Sequence, residues 1–227
     1  MKFLLALAIT ILLSHEYSSK EINNNLFKND VSINLNKPID LILQFVHGAF
    51  IRDREVTIHL PDQNKKIGKP PYNGTFQATS GYFTNPASLH RTGDTLIVKK
   101  GSTVGLKVAL GLSEMKAGYK NYKLDILGIH QAGQLDISIQ KNSLTMSIVL
   151  TYLPKCEVKL EYLKFDELSG IQVNATNLGV FKNMFEQLSK WFIAQFESNI
   201  KTIINKTLDK KVRKVLSKND LCKYFPN

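Results

Sequence analysis

The sequence predicts an α+β protein in which a strongly curved antiparallel sheet wraps around one long C-terminal helix, with a shorter N-terminal helix before it. Three observations predict this class. A short amphipathic segment opens at Pro38, apolar and polar residues alternate between 72 and 173, and apolar residues then recur every three or four positions from 177 to 217. Because the strands form one block between two helices, the order favours an antiparallel meander over a parallel sheet.

The N-terminal helix is predicted over residues 38–51. Proline is tolerated in the first turn of a helix, where its missing N–H would have no partner. The apolar side chains that follow it at helical spacing are Ile39, Leu41, Ile42, Phe45, Val46 and Phe50. Pro61 and Asp62 interrupt the chain after this helix, and the region up to Lys69 gives no clear prediction.

The middle of the chain shows the two-residue period of half-buried strands. In residues 104–112, for example, valines and leucines alternate with small or polar residues. Short polar breaks are typical of hairpin connections, and one is expected at 131–133. Strands are predicted at 75–82, 96–99, 104–112, 119–127, 135–139, 144–150, 157–165 and 171–173.

The long C-terminal helix is predicted because residues 177–217 contain one glycine, Gly179, and no proline. At 1.5 Å per residue the helix would be roughly 60 Å long, whereas a compact domain of this size has a radius of gyration of about 17 Å. From Phe192 to Leu216 the apolar positions step by four, which drifts by about 40° per step around an α-helix. Either the apolar stripe spirals beneath a twisted sheet, or a kink near 199–201 restores its direction.

Residues 1–18 are expected to be a secretory signal peptide rather than part of the fold. Lys2 precedes an uncharged apolar run, 3–13, which is too short to span a bilayer. Cleavage is expected somewhere between 14 and 19. Residues 19–227 are predicted to form a single domain, because no linker rich in Pro or Ser divides them. Because of the predicted signal peptide, we expect a secreted, extracellular protein.

Export also bears on the cysteines and on three glycosylation sequons. Cys156 and Cys222 are expected to form a disulfide, which the chain-entropy model values at about 4 kcal/mol. Two free thiols are the alternative. The sequons at Asn73, Asn174 and Asn205 are candidate glycosylation sites with exposed side chains.

The residues give no reason to expect an enzyme. The segment 101–105 superficially resembles the turn that carries a hydrolase nucleophile, but Thr103 lies at its centre and a strand follows it. No glycine-rich phosphate loop is present. Four histidines beyond the leader stand alone, without metal-ligand spacing: His47, His59, His90 and His130. No catalytic residue, metal or cofactor is therefore predicted.

Aromatic residues crowd the first half of the long helix and suggest a hydrophobic binding site. For any one of them an ordinary core position is the plainer interpretation. Together, however, a one-sided sheet and two helices need not close completely, and Phe and Met side chains commonly line adaptable slots for apolar ligands. The predicted lining comprises Phe181, Phe185, Leu188, Phe192, Phe196 and Ile200 on the helix and Leu106, Val108, Leu110, Leu135, Ile137, Ile139, Met146 and Ile148 on the strands.

Basic residues form a second candidate surface. The net charge of +11 favours anionic partners, and four cations fall within an arc of about 100° on the helix: Lys206, Lys210, Arg213 and Lys214. Such a face can dock on anionic lipid headgroups or a membrane surface. The plainer interpretation is a solvated face whose cations suit the C-terminal end of the helix dipole. Nucleic acid is not expected as a partner, because no strand interleaves basic and aromatic residues.

The order of these parts resembles a known family. A Lys-Pro-Ile-Asp segment from Lys37, the Leu60-Pro-Asp62 break, Leu89-His-Arg-Thr-Gly93 and the strand at 104–111 precede the helix at 181–216. In this order they resemble the group 7 mite allergens, which belong to the tubular lipid-binding superfamily with bactericidal permeability-increasing protein and the insect takeout proteins. The resemblance implies a curved sheet rolled around a long helix, an apolar ligand between them, and no catalytic residues.

The cysteine pair departs from the mite allergens and is similar to the strand-to-helix bridge of the bactericidal protein. Insect hormone carriers place their cysteines near the N-terminus, and this chain has none there, which argues against a hormone carrier. The sequence thus predicts a secreted carrier for a lipid or another elongated hydrophobic ligand. The alternative is a host-defence or pattern-recognition protein that binds anionic membranes or lipopolysaccharide through the basic helix face. A third hypothesis is a recognition protein with a filled core and no cargo.

Overall fold

A computed structural model of the protein describes residues 35–67, 73–100, 103–113 and 115–225. The predicted signal peptide, 1–18, lies outside the described residues. The predicted α+β class is confirmed, with antiparallel sheets between a short N-terminal helix and a long C-terminal one.

The N-terminal helix, α1, spans Asn36–Arg52 and buries one apolar face. The C-terminal helical region opens with a 3-10 turn at Gly179–Phe181 and continues as α2 (Lys182–Gln195), a π-helical turn (Phe196–Ile200) and α3 (Lys201–Lys218). Asn219 then adopts an extended backbone and ends the helix. Below, "the long helix" means this whole region from Gly179 to Lys218.

The π-helical turn explains how apolar positions spaced by four all remain buried. A π turn contains more residues than an α turn, so each residue rotates less about the helix axis. The turn therefore offsets the rotation of about 40° per four-residue step that accumulates in the α-helical parts. The backbone remains right-handed helical at both ends of the turn, which overlaps the predicted kink position. The resulting row, all at most 6% exposed, is Leu188, Phe192, Phe196, Ile200, Ile204, Leu208, Val212 and Leu216.

The strands form two antiparallel sheets, between which the chain passes after β3, β6, β8 and β10. In sheet 1 the order is β1 (Thr57–Leu60), β3 (Gly74–Thr84), β7 (Lys116–Ile126), β8 (Ile129–Ser138) and β11 (Gln172–Ala175), and β2 (Gln63–Ile67) also pairs with β3. In sheet 2 the order is β10 (Glu157–Ser169), β9 (Lys141–Thr151), β6 (Thr103–Leu112) and β4 (Leu89–Arg91), and β5 (Leu96–Lys100) also pairs with β6.

All eight predicted strands are present, but one predicted hairpin position is wrong. Residues 131–133 lie inside β8, and the turn between β7 and β8 is at Leu127 and Gly128, where φ is 54° and 76°. Positive φ at both central residues matches the twist of a two-residue hairpin. Gly133 has a packing role within β8, because an added Cβ would come within 2.6 Å of the Thr176 hydroxyl and 2.8 Å of the Tyr122 ring. β8 also ends at Ser138, so Ile139 is not on a strand.

The two halves of the long helix pack against different partners. In α2, the Phe192 ring lies 6.0 Å from the ring of Phe76 on β3 and 5.3 Å from that of Tyr119 on β7, both in sheet 1. In α3, the Asn205 and Arg213 side chains bond to the backbone of β10 in sheet 2. The core therefore follows the helix along its length, from sheet 1 to sheet 2.

Candidate functional site

The predicted ligand lining lies in the core between the long helix and the sheets. Thirteen of the fourteen residues are at most 7% exposed. The exception, Ile139, is half-buried beyond the end of β8. The six predicted helix positions lie on one buried face, and the strand positions come from β6, β8 and β9. The fold thus brings both predicted groups into the protein interior.

Aromatic rings from sheet 1 fill the space against α2. Phe192 makes edge contacts with Phe76 and Tyr119 and also with Trp191, at 5.6 Å between ring centroids. The Tyr119 hydroxyl donates a hydrogen bond of 2.9 Å to the Pro61 carbonyl. Burial raises the pKa of Tyr119 to about 12, because the ionised phenolate would be poorly solvated there.

The sheet residues that contact the Phe192 ring were not predicted from the sequence. Tyr119 and Tyr122 are three residues apart, which in a regular strand would place them on opposite faces. A register irregularity between them in the β7–β8 pairing allows both to be buried, at 0% and 1% exposure. The burial of both tyrosines could not be predicted from the sequence, because a strand bulge breaks the alternation of buried and exposed residues on which the strand prediction depended.

Open clefts lie at the edges of the molecule, away from the predicted lining. The C-terminal cleft, about 850 Å³, is bounded by residues 155–160 on one side and by Arg213 and residues 216–222 on the other. A basic cleft of about 410 Å³ is lined by Glu55, Thr207 and lysines of α3. None of the fourteen predicted lining residues borders either cleft.

The four predicted basic residues have different surroundings. Arg213 forms an ion pair with Asp209 at 2.6 Å and donates hydrogen bonds to the Leu160 and Glu161 carbonyls of β10. Lys214 pairs with Asp53 at 2.8 Å. Lys206, Lys210 and Lys214 line the basic cleft. Arg213 lies outside that lining and attaches α3 to a strand edge.

A buried lysine, Lys211, was missed by the sequence analysis. Its side chain is 3% exposed and contacts Asp53 at 2.9 Å and also Glu55, both in the segment that follows α1. Hydrogen bonds from Lys214 and Lys211 hold the pKa of Asp53 well below its ordinary value. Burial alone would lower the pKa of Lys211, but the bonds to Glu55 and Asp53 outweigh it and raise that pKa.

The family model described as "Group 7 allergen" matches residues 34–216, which is most of the chain. The chain belongs to the group 7 allergen family. Among solved structures, the fold is similar to the crystal structure of a lipopolysaccharide binding protein, with a TM-score of 0.51 and 13% sequence identity. That match covers 82% of this chain but only 38% of the other protein. A search of curated proteins found no match.

In this group 7 allergen family member, the predicted disulfide is confirmed. Cys156, just before β10, is bonded to Cys222, in the short turn that follows α3. The bond joins positions 66 residues apart in sequence. It therefore fixes the end of the chain against sheet 2, where the two cysteines form part of the C-terminal cleft.

The three sequons of this allergen family member have unequal surroundings. Asn73 and Asn174 are exposed, whereas Asn205 is half-buried on α3. The Asn205 amide donates to the Leu163 carbonyl at 3.0 Å, and its oxygen accepts from the Phe165 N–H at 3.1 Å. A glycan on that nitrogen would have to displace the bond to β10.

Within the described residues, no group of three or more His, Cys, Asp or Glu side chains is arranged to hold a metal ion. Nor is any helix in those residues long and apolar enough to cross a membrane.

Proposed function

We propose that this protein is a secreted carrier for a lipid or another elongated hydrophobic ligand, held between the long helix and the two sheets. One observation carries the proposal: the buried apolar row extends along the long helix from Leu188 to Leu216. Its Phe192 contacts Phe76 and Tyr119 of sheet 1, and α3 packs against β10 of sheet 2. An elongated ligand needs an apolar path of this kind. The fold similarity to a lipopolysaccharide binding protein supports it further.

Binding between the helix and the sheets requires interior side chains to move. Phe192 and Met146 are 2% and 0% exposed, so a ligand would have to displace them. Methionine adapts to such changes because its side chain is unbranched and flexible. Removal of apolar ligand surface from water would supply about 25 cal/mol per Å², reduced by the cost of association and of rearranging the core.

The direct test is to express the full chain in eukaryotic secretory cells and to analyse it by native mass spectrometry and lipid extraction. We expect a secreted protein that retains a stoichiometric apolar ligand or takes up an added one. A photoreactive lipid should label peptides that contain Phe192 or Phe196. Failure to retain or take up any lipid would instead support a recognition protein with a filled core.

A pair of variants locates the site. Phe192→Ala should cost about 3–5 kcal/mol of folding stability, because it leaves a cavity in the core. Since apolar cavities bind apolar molecules, the variant should bind an apolar fluorescent probe more tightly than the wild type does. Leu127→Ala is the control, because Leu127 is 59% exposed in a hairpin turn. Equal probe binding by all three folded proteins would count against an interior site.

The second candidate function is recognition of anionic membranes or lipopolysaccharide through the basic face of α3. The observation in its favour is the basic cleft, which is lined by Lys206, Lys210, Lys211 and Lys214 and by one carboxylate, that of Glu55. Vesicle binding that requires phosphatidylglycerol and weakens steeply with salt would support it. Because Arg213 bonds to β10, Lys206 and Lys210 should contribute more to such binding than Arg213 does.

A further inference from the structure

We propose that the C-terminal cleft is a separate binding site for a single-chain amphiphile with an anionic head group. One wall is the segment 155–160, which leads into β10, and the other comprises the last turn of α3 and the residues that follow it. The Cys156–Cys222 disulfide joins the two walls covalently. A cleft whose walls are linked in this way is held in shape before a ligand arrives, which lowers the cost of binding.

The floor of the cleft is apolar. Val158 and Leu160 from β10 meet Leu216 and Leu221 from the opposite wall, and these four side chains are 9%, 4%, 6% and 2% exposed. The volume of about 850 Å³ lies within the range typical of sites for small ligands. An aliphatic floor without an aromatic ring favours a flexible alkyl chain over a planar ligand.

The rim of the cleft carries a surplus of positive charge. Its ionisable residues are Lys155, Lys159, Arg213 and Lys218 against Glu157 and Asp220. Lys159 pairs with Glu157 at 2.7 Å, and Arg213 pairs with Asp209. Among the ion pairs of the described residues, none involves Lys155 or Lys218. These two ammonium groups, one on each wall, are placed to bind a carboxylate or a phosphate at the mouth.

The cleft is distinct from the interior proposed above. Leu216 is the last residue of the buried helix row and also part of the cleft floor, so the cleft lies at the end of that row. The inference rests on the proposed function for the lipid-like class of the ligand, but it concerns a different site. Either site can therefore fail a test without the other.

Calorimetric titration with four C12 amphiphiles tests the site. Laurate and lauroyl lysophosphatidic acid have anionic head groups, a carboxylate and a phosphate. The head group of lauroyl lysophosphatidylcholine is zwitterionic, and that of dodecyl maltoside is uncharged. We expect the two anionic ligands to bind more tightly than the other two. The preference between carboxylate and phosphate then identifies the head group.

Two variants and one control separate the head-group contacts from the floor. Lys155→Glu/Lys218→Glu changes exposed residues and should weaken binding of the anionic amphiphiles about tenfold or more, while dodecyl maltoside binding stays the same. Val158→Phe should fill the floor and weaken binding of all four. Lys182→Glu is the control, because Lys182 is an exposed lysine at the opposite end of the long helix.

Photolabelling of the wild-type protein with a diazirine fatty acid distinguishes this site from the interior. Labels at Leu221, which borders the cleft but is not part of the buried helix row, support the cleft if they disappear in Val158→Phe. Labels confined to peptides around Phe192 overturn the cleft inference and leave the carrier proposal intact. Labels confined to the cleft support the cleft inference and count against an interior carrier site. Anionic amphiphile affinities that remain within about twofold in both cleft variants also overturn the inference.

Discussion

The buried cation Lys211 shows how a single residue connects α3 to the segment that follows α1, 158 residues earlier in the chain. Its ammonium group is enclosed at the contact between α3 and the segment after α1, with Asp53 and Glu55 as partners. Loss of a partner from a buried charge is costly, because the remaining charge is poorly solvated. Lys214 adds a second bond to Asp53, so this one carboxylate is paired with two lysines of α3.

Acid should weaken this contact. Asp53 has an ordinary pKa of 3.8, and its bonds to Lys214 and Lys211 depress the pKa in the folded protein. The unfolded chain therefore takes up a proton near pH 4 while the folded protein does not, and stability falls as the pH drops below that point. Asp53→Asn should show a flatter decline of the free energy of unfolding between about pH 4 and pH 2. Urea titrations at several pH values measure it, with exposed Asp220→Asn as control, and identical slopes in Asp53→Asn and wild type would contradict the prediction.

Asn205 should remain without a glycan although it lies in a sequon. Its amide nitrogen is bonded to the Leu163 carbonyl on β10, whereas Asn73 and Asn174 are exposed. Peptide mapping of protein produced in eukaryotic secretory cells, after enzymatic deglycosylation in heavy-oxygen water, should mark only the exposed sites. Heavy-oxygen label at Asn205 in natively folded protein would show that the bond to β10 is dispensable.

The same bonds should make Asn205 important for stability. Asn205→Ala leaves the Leu163 carbonyl and the Phe165 N–H without their side-chain partner. The expected loss is about 1–3 kcal/mol, the cost of unsatisfied backbone groups. Asn174→Ala, at an exposed position on β11, is the control and should change the free energy of unfolding little in chemical denaturation. Equal stabilities of the two variants would mean that water replaces the Asn205 amide.

Residue types and spacing predicted which helix side chains are buried but not which polar groups they meet. The four-residue steps identified Phe192, Phe196 and Ile200, because burial on a helix follows from periodicity. The bonds of Asn205 and the burial of Lys211 could not be predicted, since each depends on an element distant in sequence. Tyr119 and Tyr122 were missed for a related reason: the β7 irregularity has no signature in local alternation.

At the scale of elements, α3 closes an open sheet edge. β10 is the outermost strand of sheet 2, so one row of its backbone groups has no neighbouring strand. Asn205 and Arg213 bond to that strand from the helix. Covering an edge with a helix prevents it from pairing with another chain. Arg213 therefore acts at this edge as a structural residue.

The disulfide stabilises the same contact. It joins Cys156 before β10 to Cys222 after α3, at a separation of 66 residues. The chain-entropy model predicts that the double variant Cys156→Ser/Cys222→Ser loses about 4 kcal/mol. Urea unfolding should measure this loss, and reduced wild-type protein should match the double variant. A difference below about 1 kcal/mol would show that the bond hardly constrains the unfolded chain.

The elements themselves were largely predictable, whereas their division into two sheets was not. Alternation identified strands such as β6 and β9, because apolar residues occupy every second position from 104 to 112 and from 144 to 150. β1 and β2 are 4 and 5 residues long and are separated by Pro61, so neither contains enough residues to show a period. The passage between sheets after β8 depends on which distant strand pairs next, and that information is not local.

At the scale of the whole molecule, the long helix carries an apolar surface and a basic surface, which would bind ligands through different forces. The apolar row faces inward to both sheets, and the basic cleft opens outward on α3. Apolar burial depends on the area removed from water and hardly on salt. Attraction between exposed charges weakens once the screening length, about 10 Å at 0.1 M salt, falls to about 3 Å at 1 M. A change of salt concentration should therefore distinguish the proposed carrier function from the proposed binding to membranes.

We predict that uptake of an uncharged lipid probe changes less than about twofold between 0.05 and 1 M NaCl, while binding to phosphatidylglycerol vesicles falls by about tenfold or more. Lys206→Ala/Lys210→Ala should reduce only the vesicle binding, because both lysines line the basic cleft. Lys190→Ala is the matched control, since Lys190 is an exposed lysine on α2 that already pairs with Glu186 at 3.3 Å. Fluorescence titration and vesicle co-sedimentation measure the two activities. If salt and the lysine pair weakened both activities in parallel, the probe would be binding through the basic face, and the interior would lose its role as the carrier site.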